Sequence, residues 1–294
     1  MELNNLLILT GTLPIENLPL TQGYLKFKNK QFIIDDLILS KELISLGTAS
    51  MILTAAKTCQ TLNLNPPYVI TAGDLGDGSG SELIYNLLTN NLQNLSPDVL
   101  TIHYILPRRL DFEKFISSLN KCDKKPVMIA DAGALLIAKA TKTCSKFDLF
   151  TPDAGELGFL SDPEADHPAY VQYPVFKNDD KNVSNLINQS YINNNSPSHL
   201  LVKGPIDYIS KNGEILDTVK EPNIPTLESI GGTGDTLTGI VSALIYSGLN
   251  ITQSSILAAK TNRIAGKLAN PTPATKISEI ISHIPKALSI VLNN

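Results

Sequence analysis

The chain has little cysteine, no surplus of positive charge and no long apolar run, and each absence narrows what it can be. Its three cysteines, Cys59, Cys122 and Cys144, lie far apart and form no CxxC pair. That excludes a disulfide framework and a thiolate zinc site and suits a reducing compartment. Histidine is equally sparse: His103, His167, His199 and His283 make no HExxH, and neither a P-loop lysine signature nor a GxSxG elbow occurs. The formal net charge of −4 argues against a general nucleic-acid or acidic-membrane binder, which needs a basic stripe for phosphate contacts. No apolar segment approaches the roughly 20 residues that span a bilayer. The first apolar run, Leu6 to Leu9, is too short and too uncharged in its flank for a signal peptide. A cytoplasmic protein is expected, with small-molecule partners, no nucleic acid and no membrane, and with homo-oligomerisation left open.

What the 294 residues do contain is a rhythm. Residues 4–10 read as a first strand, and Tyr24 to Ile34 as alternating strand material around a polar turn. From Ser40, a plausible N-cap, Leu43, Leu46, Ala49, Ile52, Leu53 and Ala56 recur at helical spacing. After Pro66-Pro67 short apolar runs alternate with helical stretches: strand 68–72, a Gly/Asp loop 73–81, helix 82–88, strand 99–106, helix near 111–120, strand 126–131, helix 134–141 and strand 147–150. Residues 161–198 interrupt with a polar excursion holding one short helix, and strand patterns return at 199–204 and 208–210. No internal repeat is present, and the chain reads as one domain, 1–294, with a polar insert at about 161–198. Such alternation implies an α/β fold with a mostly parallel sheet buried on both faces. Ligands in such sheets bind beyond the carboxyl ends of the strands, which directs attention to the loops at 73–81, 131–135 and 151–156.

The segment richest in chemistry is GGTGDTLTGIVSALIYSG, 231–248. Leu237, Ile240, Val241, Leu244 and Ile245 form one helical stripe, so a helix starts close to Asp235. Glycines before a helix let the backbone turn tightly and aim free amides one way, and the first turn adds a partial positive charge. Gly232, Thr233 and Gly234 therefore make a candidate phosphate cradle. An aspartate at that place repels an anion and makes sense as a base beside a reacting hydroxyl. The plainer reading is a tight turn with Asp235 as an ordinary N-cap.

GTGDTLTGIVSAL resembles the GxGD segment of ribokinase-like enzymes. The order of the other motifs, PVMIADAGAL (126–135), FTPDAGEL (150–157), LLVKG (200–204) and GGTGD (231–235), is similar to that of one branch, the ATP/ADP-dependent NAD(P)H-hydrate dehydratases. The resemblance covers roughly residues 99–268 and implies a three-layer α/β/α fold with a mostly parallel central sheet. It also implies ATP or ADP with Mg²⁺ as cofactors, and a terminal phosphate moved toward a hydroxyl with Asp235 as base. By the same resemblance Glu156 organises Mg²⁺ through water, and Lys203 and Gly204 lie near the nucleotide. Glu156 has an alternative as a first-turn helix charge, and Lys203 as a solvated strand-exit lysine. There are departures: Gly133 stands where the branch has a second aspartate, and Asp153-Ala154 where it has His-Pro. The branch's glycine-rich loop falls at AGDLG (72–76) by text or at ILPRR (105–109) by counting strands, and the strand count is preferred.

Substrate contacts are expected from Asp131 at a strand end, from Asp153, and from Asp74 and Asp77 in the 73–81 loop, whose two carboxylates suit hydroxyls or a cation. The plainer reading of Asp77 is a flexible turn. His103, in a strand otherwise apolar, is expected as a satisfied core or strand-end histidine rather than a catalyst. Three functions follow: dehydration of hydrated NAD(P)H driven by ATP or ADP, phosphorylation of a sugar or vitamin-like alcohol, or nucleotide binding by a regulator that has lost catalysis.

Overall fold

The computed structural model describes residues 5–28, 31–39, 47–165 and 180–293. β1 (Leu7–Leu13) leads to β2 (Thr21–Lys28), β3 (Gln31–Ile34) and β4 (Leu37–Leu39), a ladder of antiparallel pairs. Then α1 (Thr48–Thr61), β5 (Tyr68–Gly73), α2 (Ser79–Leu95), β6 (Val99–Ile102), α3 (Arg109–Ser118), β7 (Val127–Ala130), α4 (Gly133–Ala140), β8 (Leu149–Phe150) and α5 (Ala154–Ser161) alternate. After α6 (Asp180–Ile192) come β9 (His199–Val202), β10 (Asp207–Lys211) and β11 (Glu214–Val219), and the chain ends in α7 (Thr233–Tyr246), α8 (Ile251–Ala269) and α9 (Ile277–Leu292). All strands join one sheet in the order β11-β10-β9-β8-β7-β6-β1-β5-β2-β3-β4. The six strands from β9 through β5 are mutually parallel, and both flanks are antiparallel.

The layers follow from the two-residue period of a strand, which sends successive side chains to opposite faces. Leu7 and Leu9 pack with Val99, Ile129 and Leu201 beneath α1, α7, α8 and α9. Ile8 packs with Ile70, Leu100, Met128 and Leu200 beneath α2, α3 and α4. Both faces of the parallel strands are thus apolar, which is why they read as short continuous runs rather than as alternation. The chain goes from β1 to β5 on one side and then returns to β6 on the other. That reversal leaves a crevice at the carboxyl ends of β1 and β6, where open α/β sheets bind ligands.

Several boundaries differ from expectation. β6 stops at Ile102 because the next residue, His103, turns away into a polar cluster. α2 opens at Ser79 behind Gly78, earlier than expected. α1 opens at Thr48 behind Gly47, whose φ is +70°; the proposed N-cap, Ser40, lies outside the described residues. In the polar excursion, α5 extends to Ser161 and α6 supplies the one expected helix, while 166–179 lie outside the described residues. Among the described residues no helix is long and apolar enough to cross a membrane. All three cysteines are free, with Cys59 and Cys144 buried.

Candidate active site

Four titratable side chains converge where the strands end. Asp131 follows β7, His103 follows β6, Lys203 follows β9, and Asp235 occupies the first turn of α7. Asp131 is almost fully buried. One of its oxygens takes a hydrogen bond from Lys203 Nζ at 2.7 Å and from the amide of Ala132 at 2.9 Å, and the other from Thr238 Oγ1 at 2.5 Å. His103 is wholly buried, with Nε2 3.0 Å from Asp235 Oδ1 and 3.3 Å from Asp131 Oδ2. Both oxygens lie within reach of Nε2, so hydrogen bonding and charge together draw the imidazole to the two carboxylates. The second oxygen of Asp235 accepts from the Gly47 amide at 2.5 Å, which ties the starts of α1 and α7 together.

These contacts set the charge states. Burial lowers the His103 imidazole, but Asp131 and Asp235 outweigh it and push the group up to about 9. Burial works against ionisation of Asp131 and Asp235 as well. Lys203 and His103 nevertheless hold Asp131 well below the usual carboxylate range, and His103 lowers Asp235. Lys203 is raised, since its carboxylate neighbours, led by Asp131, more than offset its burial. At neutral pH the cluster therefore holds two carboxylates, an ammonium and an imidazolium, a balanced set.

The cluster forms the floor of an open cavity of about 590 Å³. Tyr104, Ala132, Asp153, Glu156, Pro205, Asn223, Ile224 and Asn262 also line it. α7 opens with Gly232 at φ +96°, a left-handed conformation, and no side chain caps its first amides. A Cβ on Gly232 would also lie 2.9 Å from the Ile277 side chain. The turn therefore requires glycine twice over. The helix opens at Thr233, two residues ahead of Asp235, so Asp235 is a first-turn residue and not the N-cap. Thr233 turns its hydroxyl toward the Ile230 carbonyl at 3.3 Å, leaving its backbone amide for any anion. Asn262 fixes this turn by donating to the Thr233 carbonyl at 2.9 Å.

The other predicted residues divide into those that reach the cavity and those that do not. Asp153 and Glu156 do, joined in a capping box at the start of α5: the Glu156 amide donates to Asp153, and the Asp153 amide to Glu156, both at 2.8 Å. The expected alternative for Glu156, a first-turn helix charge, is thus physically present. Glu156 is half-buried; burial pushes its carboxyl up to about 8, with Lys203 opposing the rise and Asp131 and Asp153 adding to it, a shift that water in the open cavity tempers. Gly204 lines the cavity, but its amide already donates to Asp207 and its carbonyl accepts from Arg263. It belongs to a rim of the cavity that Arg263 fastens through its 2.7 Å ion pair with Asp207.

Asp74 and Asp77 lie outside this cavity. The Asp74 carboxylate accepts from the amides of Gly76, Gly78 and Ser81 and from the Ser81 hydroxyl. It closes its own loop and has no capacity for a substrate, a correction to the sequence reading. Asp77 is exposed and turns back onto Ser79, the plainer reading. His103, expected as a satisfied core or strand-end histidine, is a buried strand-end residue and lies at the centre of the cluster.

The gap left by Gly133 has a steric cause. A Cβ at Gly133 would stand 2.2 Å from the Ile105 carbonyl oxygen, so the aspartate of the related branch has no room here. The loop after β6, not the 73–81 loop, packs against this turn, in keeping with the strand count.

The doubly flanked, mostly parallel sheet with its cavity at the strand ends has the three-layer architecture of ribokinase-like proteins. Solved structures agree on the fold: pyridoxal kinase of Entamoeba histolytica matches at a TM-score of 0.53 and 16% identity, covering 95% of each chain. The ADP/ATP-dependent NAD(P)H-hydrate dehydratase of Bacillus subtilis, crystallised with ATP and Mg²⁺, matches at 0.51 and 16%, covering 83% of this chain and 84% of that one. More specifically, the NAD(P)H-hydrate dehydratase family model matches residues 89–286, well over half of the chain, which therefore belongs to that family. An uncharacterised protein of Methanocaldococcus jannaschii is 43% identical over 242 residues, 82% of this chain and 100% of its own length. The bifunctional NAD(P)H-hydrate repair enzyme of Hyperthermus butylicus is 36% identical over 92 residues, 31% of this chain and 17% of that enzyme. The chain thus matches only a small part of such bifunctional relatives.

Proposed function

We propose that the protein dehydrates a hydrated reduced nicotinamide nucleotide, using ATP or ADP to turn a hydroxyl into a phosphate leaving group. The observation that supports this most is Asp235, ionised and gripped between His103 and the Gly47 amide at the uncapped start of α7. A base beside a helix N-terminus suits an acceptor hydroxyl meeting a terminal phosphate, and such transfers depend mostly on positioning and charge stabilisation. Asp235 takes the hydroxyl proton as oxygen bonds to phosphorus and the nucleotide leaves shortened by one phosphate. The ester then departs as phosphate while a proton is lost from the adjacent carbon, restoring the double bond. The amides of Gly232, Thr233 and Gly234 hold the transferred group, and Lys203 adds positive charge nearby. Asp131 anchors Lys203, and Asp153 lines the acceptor flank.

Mg²⁺ fits the residues present. Glu156 faces the cavity with one oxygen on the Asp153 amide, leaving the other for a water of the ion, and Mg²⁺ needs only one or two carboxylates. Bound with the nucleotide, it would offset phosphate charge. A second reading, phosphorylation of an alcohol whose ester persists, draws on the missing acceptor-side carboxylate at Gly133.

The test is to incubate the protein with ATP and Mg²⁺, with and without hydrated NADH, following phosphate release and NADH absorbance together. Absorbance recovering in step with phosphate supports dehydration. A stable phosphorylated product, or no turnover, rejects it. Asp235→Asn should lower turnover by about 100-fold or more while ATP affinity stays within a few fold.

A further inference from the structure

The centre of the cluster is a histidine that the phosphoryl-transfer chemistry does not itself require. We propose that His103 is a positioning residue for Asp235, an imidazolium held between Asp131 and Asp235 that orients the Asp235 carboxylate and keeps it ionised. This deepens the reading of Asp235 as the base and rests on it.

Three observations carry the inference. Nε2 of His103 faces only carboxylate oxygens, 3.0 Å and 3.3 Å away. Ionised carboxylates only accept, so the proton must be on Nε2. The other ring nitrogen, Nδ1, lies 3.5 Å from Thr48 Oγ1, in the first turn of α1. The residue before it, Gly47, donates its amide to the second oxygen of Asp235. Asp235 is thus gripped from two sides by groups that are themselves tied together, which fixes its rotation and its remaining lone pairs. Finally, the elements packed around His103 bring Asp131 from β7, Asp235 from α7 and Lys203 from β9, with Tyr104 next in the chain and its ring 4.7 Å away. Without a cation at position 103 this set carries a net negative charge in the place proposed to receive a polyphosphate. With it, the charges cancel. The raised imidazole, at about 9, agrees with that balance.

The imidazolium has a definite effect on the base. An opposite charge this close lowers a carboxylate pKa by about 1–3 units, so Asp235 remains ionised through the neutral range. The proposal differs from a purely structural role, since removing His103 must change how Asp235 titrates and not only how well the protein folds.

Two measurements test it. The first needs no turnover: ¹⁵N-histidine NMR of the full-length protein in EDTA, with the His103 signals assigned through His103→Gln. The expected result is a doubly protonated ring at pH 7.5 titrating near 9, and a fall of at least about one unit in Asp235→Asn. A neutral ring at pH 7.5, or no response to Asp235→Asn, overturns the proposal. The three ligand atoms of His103, Asp131 and Asp235 lie within 4.8 Å of one another. Displacement of the Nε2 proton by one equivalent of Zn²⁺ at micromolar concentration overturns it too, in favour of a metal site. The second measurement is the pH profile of kcat in His103→Gln and His103→Asn. Expected are a fall of about 10- to 100-fold and an acid limb moved upward by about one unit or more. An unmoved acid limb in a folded variant overturns it. The NMR result stands even if the dehydratase reading fails, so the two failures can be told apart.

Discussion

Gly133→Ala puts the steric account of the acceptor side to a direct test. The added methyl would lie 2.2 Å from the Ile105 carbonyl oxygen, with the carbon and nitrogen of the same residue at 3.3 Å. Contact at ordinary van der Waals distance needs more than an ångström of relief, and the obstacle is backbone, so no rotamer change supplies it. The turn cannot yield freely. Ala132 is already at φ +50°, its amide donates to the Asp131 side chain at 2.9 Å, and the Asp131 carbonyl accepts from the Ala134 amide at 3.2 Å. Overpacking of this kind costs about 1–3 kcal/mol. At about 2–4 °C per kcal/mol for chains somewhat shorter than this one, the melting temperature should fall by about 2–12 °C. Scanning calorimetry reads it, with Gly155→Ala as control: Gly155 is exposed in the first turn of α5 and its nearest neighbour is Asp153 Oδ1 at 3.3 Å. That variant should melt within about 2 °C of the parent, since alanine is favoured in helices. A Gly133→Ala protein that melts as the parent does would refute the claim that packing excludes a side chain here. Gly133→Asp, with the residue of the related branch, should be less stable still.

Two further outcomes are expected. Lys139 is buried and donates to the carbonyls of Phe159 and Asp162 at 2.6 Å and of Ala165 at 2.9 Å. Lys139→Met should therefore destabilise by about 3 kcal/mol or more in urea unfolding and speed amide exchange at the end of α5; unchanged stability would show these bonds to be idle. The raised imidazole of His103 gives stability a pH dependence. Its folded-state value of about 9 exceeds the 6.5 of a free imidazole, so its contribution, of order 3 kcal/mol, is fully present below 6.5 and lost as pH rises through about 9. The melting temperature should fall between pH 7 and 9.5, and His103→Gln should flatten that slope; equal slopes would contradict the assignment.

The layered sheet was legible because six parallel strands, covered on both faces, had to be written as short apolar runs between helices. The glycine turn ahead of α7 was legible because Gly232 must be glycine for two local reasons, and a helical stripe follows at once. What escaped had weaker or misleading local signals. α9 carries an apolar stripe at Ile277, Ile280, Ile281, Ile284 and Leu288, but Pro285 sits inside it and proline ordinarily marks a break. β4 is three residues long, too short for a period to show. Asp74 looked like a ligand because a glycine-rich loop with carboxylates suggests one. Its real partners are the amides and hydroxyl of that same loop, and spacing alone does not separate the two. His103 could have been found by the rule that found Asp131, since both directly follow a buried strand at its carboxyl end. Its role needed two carboxylates brought from distant parts of the chain.

Two features of the cavity bear on the proposed choice between dehydratase and kinase. Under that proposal phosphoryl transfer would draw on the uncapped start of α7, Asp235, and Lys203 beside the turn. Tyr104, partly exposed, also lines the cavity, and Gly133 has no room for a side chain. Transfer to a hydroxyl uses the same groups whether the ester survives or is expelled. Expulsion depends on electron density in the acceptor, which an electron-rich ring adjoining the hydroxyl supplies and a simple alcohol does not. Under that proposal the outcome would be decided by which acceptor the cavity admits beside Tyr104, not by Asp235 or Lys203. Substitutions at Tyr104 should therefore change the KM for the acceptor and leave that for the nucleotide unaltered, while those at Asp235 should act on kcat for every acceptor alike.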